Sequence, residues 1–380
     1  MKQKEVDEII KVYSEYYLRS IGLGDIPDNL VIDDYVFNLK DNNDLNLIKI
    51  NNPDIKLVKL PNIINSIDLS NIFLDNSKIE KVILGDKVKR IGNRVFENNY
   101  YLKYINLENI KEIGNYSFLN CMSLEKLKLK NIVSIGIEAF SGCKSLVFVD
   151  LGGKLEGLSS FVFRQNPLLR KVVGTESLRT IDEHCFCNCK NLKTIDLHNI
   201  ECLGDYAFGF CSGLLNINLS NIQVLGESCF FRCENLQTVY LSKYIEKLSK
   251  NLFFGCHHLS HVKNLENVKE LDDNCFYGSG IKVADLRNCE KIGKEVFLNS
   301  NLSTIIISDK LKYIGDSSFH QNIKMARSTF RDDMKSELMS YFRNNNLIIK
   351  YYGDKENPLE DIIIGKNNDI FLNAKIIKLK

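Results

Sequence analysis

A phenylalanine returns every 21 to 23 residues from Phe96 to Phe319, and this period constrains the fold more than any other feature of the chain. The series runs Phe96, Phe118, Phe140, Phe163, Phe186, Phe208, Phe230, Phe253, Phe276, Phe297 and Phe319. Four residues before each Phe stands Gly or a small polar residue, as in Gly92, Gly114, Gly136, Ser159, Asp182 and Gly204. Six residues after it most copies place a Leu, followed by an alternating apolar pair such as Ile105/Leu107 or Leu127/Leu129. The unit is L-x-x-I-x-L-x-x-I-x-x-I-G-x-x-x-F-x-x-C-x-x, intact in "LKYINLENIKEIGNYSFLNCMS" from Leu102 to Ser123.

A unit this short cannot bury its apolar edge alone, so repetition in phase predicts a solenoid in which each coil covers its neighbour. The period-two section predicts a strand, the Gly a sharp turn, and the F-x-x-C section a short helical turn. The expected fold is therefore α/β: a solenoid with one parallel strand per 22–23-residue coil and helical caps at both ends. Its parts are an N-terminal helical cap over 1–29, a solenoid over 30–322 and a C-terminal cap of helix plus strands over 323–380. Within the solenoid, 30–84 holds eroded copies ("VIDDYVFNLKDNNDLNLIKI" at 31–50 and "SIDLSNIFLDNSKIEKVIL" at 66–84) and 85–322 the clear ones. Some 13 coils at about 4.8 Å each predict a rod on the order of 60 Å long. Both caps are read from amphipathic patterns: Ile9, Val12/Tyr13, Tyr16 and Tyr17 at one end, and Phe330, Met334, Leu338 and Tyr341/Phe342 at the other. They would shield the terminal coils.

The repeat resembles the BspA-type (treponemal) leucine-rich repeat family, whose unit carries the same I-G-x-x-A-F-x-x-C core. "SIGIEAFSGCKSL" (134–146), "CLGDYAFGFCSGL" (202–214) and "YIGDSSFHQN" (313–322) carry the resemblance, which covers roughly two-thirds of the chain. It implies a curved solenoid used for protein contacts, often at the surface of bacteria or protists. It specifies the scaffold far more closely than the task, because function lives in sites carried on folds.

All 12 cysteines lie between Cys121 and Cys289, inside the repeats. Cys121, Cys143, Cys189, Cys211, Cys233 and Cys256 stand three residues after the Phe, where other copies have Asn99, Asn166, Asn322, Ser279 or Ser300. Exchange among Cys, Asn and Ser predicts a small inward side chain that satisfies backbone groups of the adjacent turn, forming a ladder. Cys185, Cys229 and Cys275 precede the Phe, where Ala139 and Ala207 stand elsewhere, and read as small packing residues. Cys187, Cys202 and Cys289 fit neither pattern, and Cys187 is expected to be exposed or half-buried. Zinc at "HCFCNC" (184–189) would need thiolates converging on one point, which the repeat does not provide. Parallel side-chain vectors on neighbouring coils also disfavour disulfides, so reduced thiols are expected. The cluster His257, His258 and His261 reads as a solvated turn, with a surface metal or pH-sensitive contact as the sharper alternative.

No phosphate-cradling G-x-x-x-x-G-K-[ST], G-x-S-x-G or H-E-x-x-H occurs, and pairs such as Asp332/Asp333 read as solvated. No catalytic residue, metal site or cofactor is therefore expected. With 50 basic and 48 acidic residues the formal charge is +2, which gives no electrostatic reason to expect nucleic acid or anionic membrane. No apolar run reaches the roughly 18 residues that span a bilayer, and charges interrupt the first 22 residues. A cytoplasmic location is expected, with a secreted or cell-surface one as the alternative if a leader has been removed.

The outward strand positions are the remaining handle. The residues expected to meet a partner are Tyr104, Asn106, Lys128, Phe148, Asp150, Asp196, Asn218, Tyr240 and Lys263. Mixed charge with isolated aromatic anchors suits a protein or peptide. The reading is a non-enzymatic protein-interaction scaffold, and its rival is an adhesin or host-interaction protein of the same family. Mixed charge is equally what solubility requires. The irregular stretch 151–182 is expected to bend the array or mark a contact site, and 277–285 shortens its coil by one residue.

Overall fold

The computed structural model describes residues 30–32, 35–39, 45–60, 66–67, 73, 78–319, 347–372 and 374–379. They fall in two compact units, 1–178 and 179–380.

In the first unit, strands Leu57–Lys59, Lys81–Ile83 and Tyr104–Ile105 pair in parallel, as do Lys126–Lys128, Phe148–Asp150 and Lys171–Val173. These are the strands that the period-two section predicts. A second ladder was not anticipated: Ser66–Ile67, Arg90–Ile91, Glu112–Ile113 and Ser134–Ile135 pair side by side, also in parallel. Each coil thus carries two strands rather than one. The second, the pair just before the Gly, is two residues long, too short for any alternation to register in the sequence. The second unit repeats both ladders, with Asn216–Leu219, Thr238–Leu241 and His261–Lys263 in one and Lys247–Leu248, Glu270–Leu271, Lys291–Ile292 and Tyr313–Ile314 in the other.

The phenylalanines form flat stacks inside each unit. Rings of Phe73, Phe96, Phe118, Phe140 and Phe163 lie 4.5 to 5.8 Å apart in the first. In the second, Phe186, Phe208, Phe230, Phe253, Phe276, Phe297, Phe319 and Phe371 follow one another at 4.8 to 5.7 Å. All are buried. The coil spacing of a parallel sheet and the offset stacking distance of two rings coincide, so one aromatic per coil satisfies both.

The F-x-x-C section is not helical. Residues two before and two after the Phe take positive φ in coil after coil: Glu138 at 53° and Gly142 at 71°, Tyr206 at 52° and Phe210 at 61°. Ala139 N donates to Gly136 O and Cys143 N to Phe140 O, closing successive β-turns with the left-handed residue third in each. Alternate amides are left to bond the next coil, as Phe96 N does to Ser117 O and Asn98 N to Leu119 O. A helix would have consumed those donors internally and left the coils unlinked.

The repeat glycine also works differently from expectation. Gly114, Gly136 and Gly226 have no left-handed φ. Instead a Cβ on Gly226 would lie 2.4 Å from Asp205 N, and one on Gly136 2.5 Å from Asn115 N. Glycine is there because adjacent coils touch backbone to backbone.

At the N-terminal side, Leu30–Ile32, Tyr35–Leu39 and Leu45–Ile50 form an antiparallel sheet, not a coil of the parallel ladder. Two residues separate the first pair, and a link that short joins only antiparallel strands. The later eroded copy does keep the repeat, with Phe73 one period before Phe96. Toward the C-terminus the ladders resume after the predicted helix. Ile348–Tyr352 pairs with Thr304–Ser308, Lys375–Leu379 pairs with Ile348–Tyr352, and Phe371 joins the stack. The helices expected over 1–29 and after 323 lie outside the described residues. The described C-terminal part holds repeat strands and one helical turn, Asp369–Leu372, so no helical cap is supported there.

Candidate functional site: the outward strand positions

The small inward residues are consumed by the scaffold. Cys121, Cys143, Cys211, Cys233 and Cys256 each donate Sγ–H to the carbonyl of the preceding coil's Phe, at 3.1 to 3.3 Å. Asn166 bridges two carbonyls, Phe140 O at 2.9 Å and Phe163 O at 2.8 Å. Ser300 reaches only Phe297 O of its own coil, and the buried Ser279 hydroxyl finds no partner. Reach therefore ranks the three residue types that share the slot. Before the Phe, Ser117 donates to both Gly92 O and Gly114 O, and Asn368 repeats that pattern on Gly315 O and Gly365 O.

Burial raises these thiols far from the reactive range. Cys143 and Cys289 are each pushed up to about 12, chiefly by burial, and Cys121, Cys211 and Cys275 are raised well above their ordinary value for the same reason. None of the twelve is in a disulfide, and only Cys202 is not buried. It occupies the outward position of strand Cys202–Leu203, between Thr180 and Val224. Cys187, expected to be exposed or half-buried, is instead buried, at 4% exposed. It sits between Phe186 and the turn residue Asn188, a position the consensus leaves unspecified.

Among the described residues, no group of three or more His, Cys, Asp or Glu could hold a metal ion. The histidines of 257–261 diverge: His257 Nδ1 bonds Gly278 O in one neighbouring coil, His258 Nδ1 bonds Glu234 O in the other, and His261 meets Ser260. A surface groove of about 600 Å³ lies along the bends of the second unit. Within it Lys269 pairs with Glu246 at 2.8 Å and Lys310 donates to the Asn288 side-chain carbonyl at 2.6 Å.

The nine outward residues divide between the units. In the first, Tyr104 is 46% exposed with Lys81 over its ring, and Lys128 is exposed beside Asp150 in register. Asn106 is a structural residue: it donates to Leu84 O at 3.0 Å and accepts from Leu84 N at 2.7 Å, extending the backbone ladder with an amide side chain. Asp150 accepts from Gly152 N and Phe148 is half-buried. In the second unit Asn218, Tyr240 and Lys263 line up in register, with Tyr240 46% exposed. Asp196 and Asn218 each accept the amide two residues on, closing the turn after the strand position. Tyr104, Lys128, Tyr240 and Lys263 are therefore the outward side chains most free to meet a partner. Asp150, Asp196 and Asn218 each close a turn, and Asn106 extends the ladder.

Sequence reasoning passed over an apolar group on the same face. Val283, Ile306, Ile348, Tyr352 and Ile377 point outward from four adjacent strands and keep part of their surface exposed. The alternation in "TIIIS" (304–308) marks it locally. The neighbouring strand begins 40 residues later, which hid their adjacency.

A family model described as "BspA type Leucine rich repeat region (6 copies)" matches residues 26–147, 111–237, 156–282 and 223–349. No curated protein matches the sequence. Among solved structures, a leucine-rich repeat protein from Bacteroides ovatus ATCC 8483 aligns with 92% of this chain and 100% of its own, at 21% identity and a TM-score of 0.58. A leucine rich cell surface protein from Faecalibacterium prausnitzii A2-165 aligns with 78% of this chain and 92% of its own (18% identity, TM-score 0.44). The pneumococcal vaccine antigen PcpA aligns with 94% and 100% (16% identity, TM-score 0.45). The first similarity is one of fold.

Proposed function

From a chain that belongs to the BspA-type leucine-rich repeat family, we infer a non-enzymatic scaffold that binds a protein or peptide through its outward strand positions. The observation that carries this reading is how the chemistry-bearing side chains are used. Five of the buried thiols, with Asn166 and Ser117, are bonded to carbonyls of adjacent coils, while aromatic and cationic side chains without such duties stand on the strand face. A site built for binding needs surface that the scaffold does not consume, and the strand ladders supply it.

Affinity capture on the immobilised chain tests this. Tyr240→Ala combined with Lys263→Glu removes the captured partner, whereas Lys250→Glu, an exposed change at a turn, leaves capture intact. Equal capture by all three proteins would remove the strand face as the binding surface. A cytoplasmic location belongs to the same proposal, supported by a chain whose twelve cysteines, all but Cys202 buried, serve as packing and hydrogen-bonding thiols. Among the described residues no helix is long and apolar enough to cross a membrane.

A further inference from the structure

The outward positions of the last four long strands differ in kind from those before them. Strands Val283–Asp285, Thr304–Ser308, Ile348–Tyr352 and Lys375–Leu379 lie side by side in parallel. The inward residues of the first three, Ala284, Ile305, Ile307, Ile349 and Tyr351, are fully buried, register places Ile376 and Lys378 of the last strand on the same side, and alternation sends the others outward. One outward row runs Val283, Thr304, Ile348, Lys375, and the next runs Asp285, Ile306, Lys350, Ile377. Val283 is 53% exposed, and Ile306, Ile348 and Ile377 are half-buried at the surface. The preceding long strands of the same unit present Asn216, Asn218, Thr238, Tyr240, His261 and Lys263 instead. Branched aliphatic side chains gathered on the open face of a sheet lose free energy to water there, and such patches mark contact surfaces.

The surrounding charge states what the patch would accept. Asp285 is taken by the Arg287 guanidinium, which also lies 5.0 Å from the Tyr352 ring. Asp309 accepts from the Tyr351 hydroxyl. Lys282, Lys350 and Lys375 form no ion pair among the described residues. Lys350 stands between Ile306 and Ile377 and Lys375 beside Ile348, so the aliphatic side chains are interleaved with cations that have no anion among the described residues.

We propose that this patch binds a polypeptide segment in which aliphatic or aromatic side chains are flanked by Asp or Glu. The inference rests on the reading of the outward strand face as the working surface, and it adds a place and a chemistry to it. A polypeptide suits the site better than a lipid surface. Among the described residues the aliphatic groups lie flush in a sheet, with no projecting aromatic loop or amphipathic helix beside them to enter a bilayer.

Panning a random-peptide phage library on the full chain tests the proposal. The expected peptides carry acidic residues beside Leu, Ile, Val or Phe. Their affinity falls about tenfold or more on Ile306→Ser with Ile348→Ser. The pair Lys350→Glu and Lys375→Glu, which spares the apolar packing, shifts the selected peptides from acidic to basic. Thermal unfolding of each variant confirms an intact fold. An empty selection, or peptides indifferent to both pairs of changes, overturns the proposal. Charge-dependent binding of the chain to phosphatidylserine vesicles in place of peptides overturns it too. Peptides lost on Tyr240→Ala but kept by the patch variants overturn it while leaving the strand-face reading standing. Peptides indifferent to every strand-face change overturn both.

Discussion

At the scale of single residues the energetic weight lies in two columns, the phenylalanines and the small residues that bond carbonyls between coils. Truncating a buried Phe to Ala costs about 3–5 kcal/mol in most cores, so each ring is a large share of any coil's stability. The carbonyl-bonding slot is finer. Ser279 buries a hydroxyl with no partner, whereas Cys in the same slot reaches the preceding coil. Ser279→Cys is accordingly expected to raise stability by about 1 kcal/mol in urea unfolding. A loss of stability would mean the slot is not interchangeable. The thiols also set an alkaline limit. The folded chain holds Cys143 and Cys289 protonated up to about 12, against an ordinary thiol value of 9.0. Below that ordinary value both folded and unfolded thiols are protonated and stability is flat. Above it the unfolded thiols ionise first, so stability falls through the window up to about 12, by roughly 1.4 kcal/mol per pH unit for each such cysteine. A urea midpoint unchanged between pH 8 and 11 would contradict this.

At the scale of the element, one coil is two strands and a pair of β-turns whose left-handed residues free alternate amides for the neighbouring coil. Gly226 shows how tightly coils approach: a Cβ there would sit 2.4 Å from Asp205 N. Gly226→Ala should destabilise by about 1–3 kcal/mol, as overpacking does, and a neutral outcome would show that the coils can separate without cost. The period, the long strands and the Phe core were legible in the sequence because each repeats in phase and each is a burial pattern. The two-residue strands and the turns were not. Their geometry rests on backbone φ and inter-coil amide bonds, and residues as different as Arg94, Tyr116, Glu138 and Ser228 all occupy the same left-handed position. Similarly, Phe371 could not be assigned to the stack from its spacing, because it follows Phe319 by far more than one period.

Across the chain as a whole, the candidate surface was only partly legible. Tyr104, Lys128, Tyr240 and Lys263 were found as exposed strand residues. Asn106, Asp150, Asp196 and Asn218 looked identical in sequence yet close turns or extend the ladder. An outward carboxylate and a turn-closing one differ only in where the next amide points. The apolar rows at Val283, Ile306, Ile348 and Ile377 depend on strands distant in sequence becoming neighbours. The exposed ion pairs along the short strands, such as Lys247 and Lys291 on Glu270, contribute little to stability. The central claim is that the cysteines, the most chemically suggestive residues in the chain, belong to the scaffold. Counting reactive thiols in the native protein with Ellman's reagent at pH 8 tests it most directly. The account predicts one fast thiol of the twelve, Cys202, abolished by Cys202→Ser, with the rest reacting only on unfolding. Several fast thiols in the native chain, or zinc purifying with it in stoichiometric amount, would contradict it.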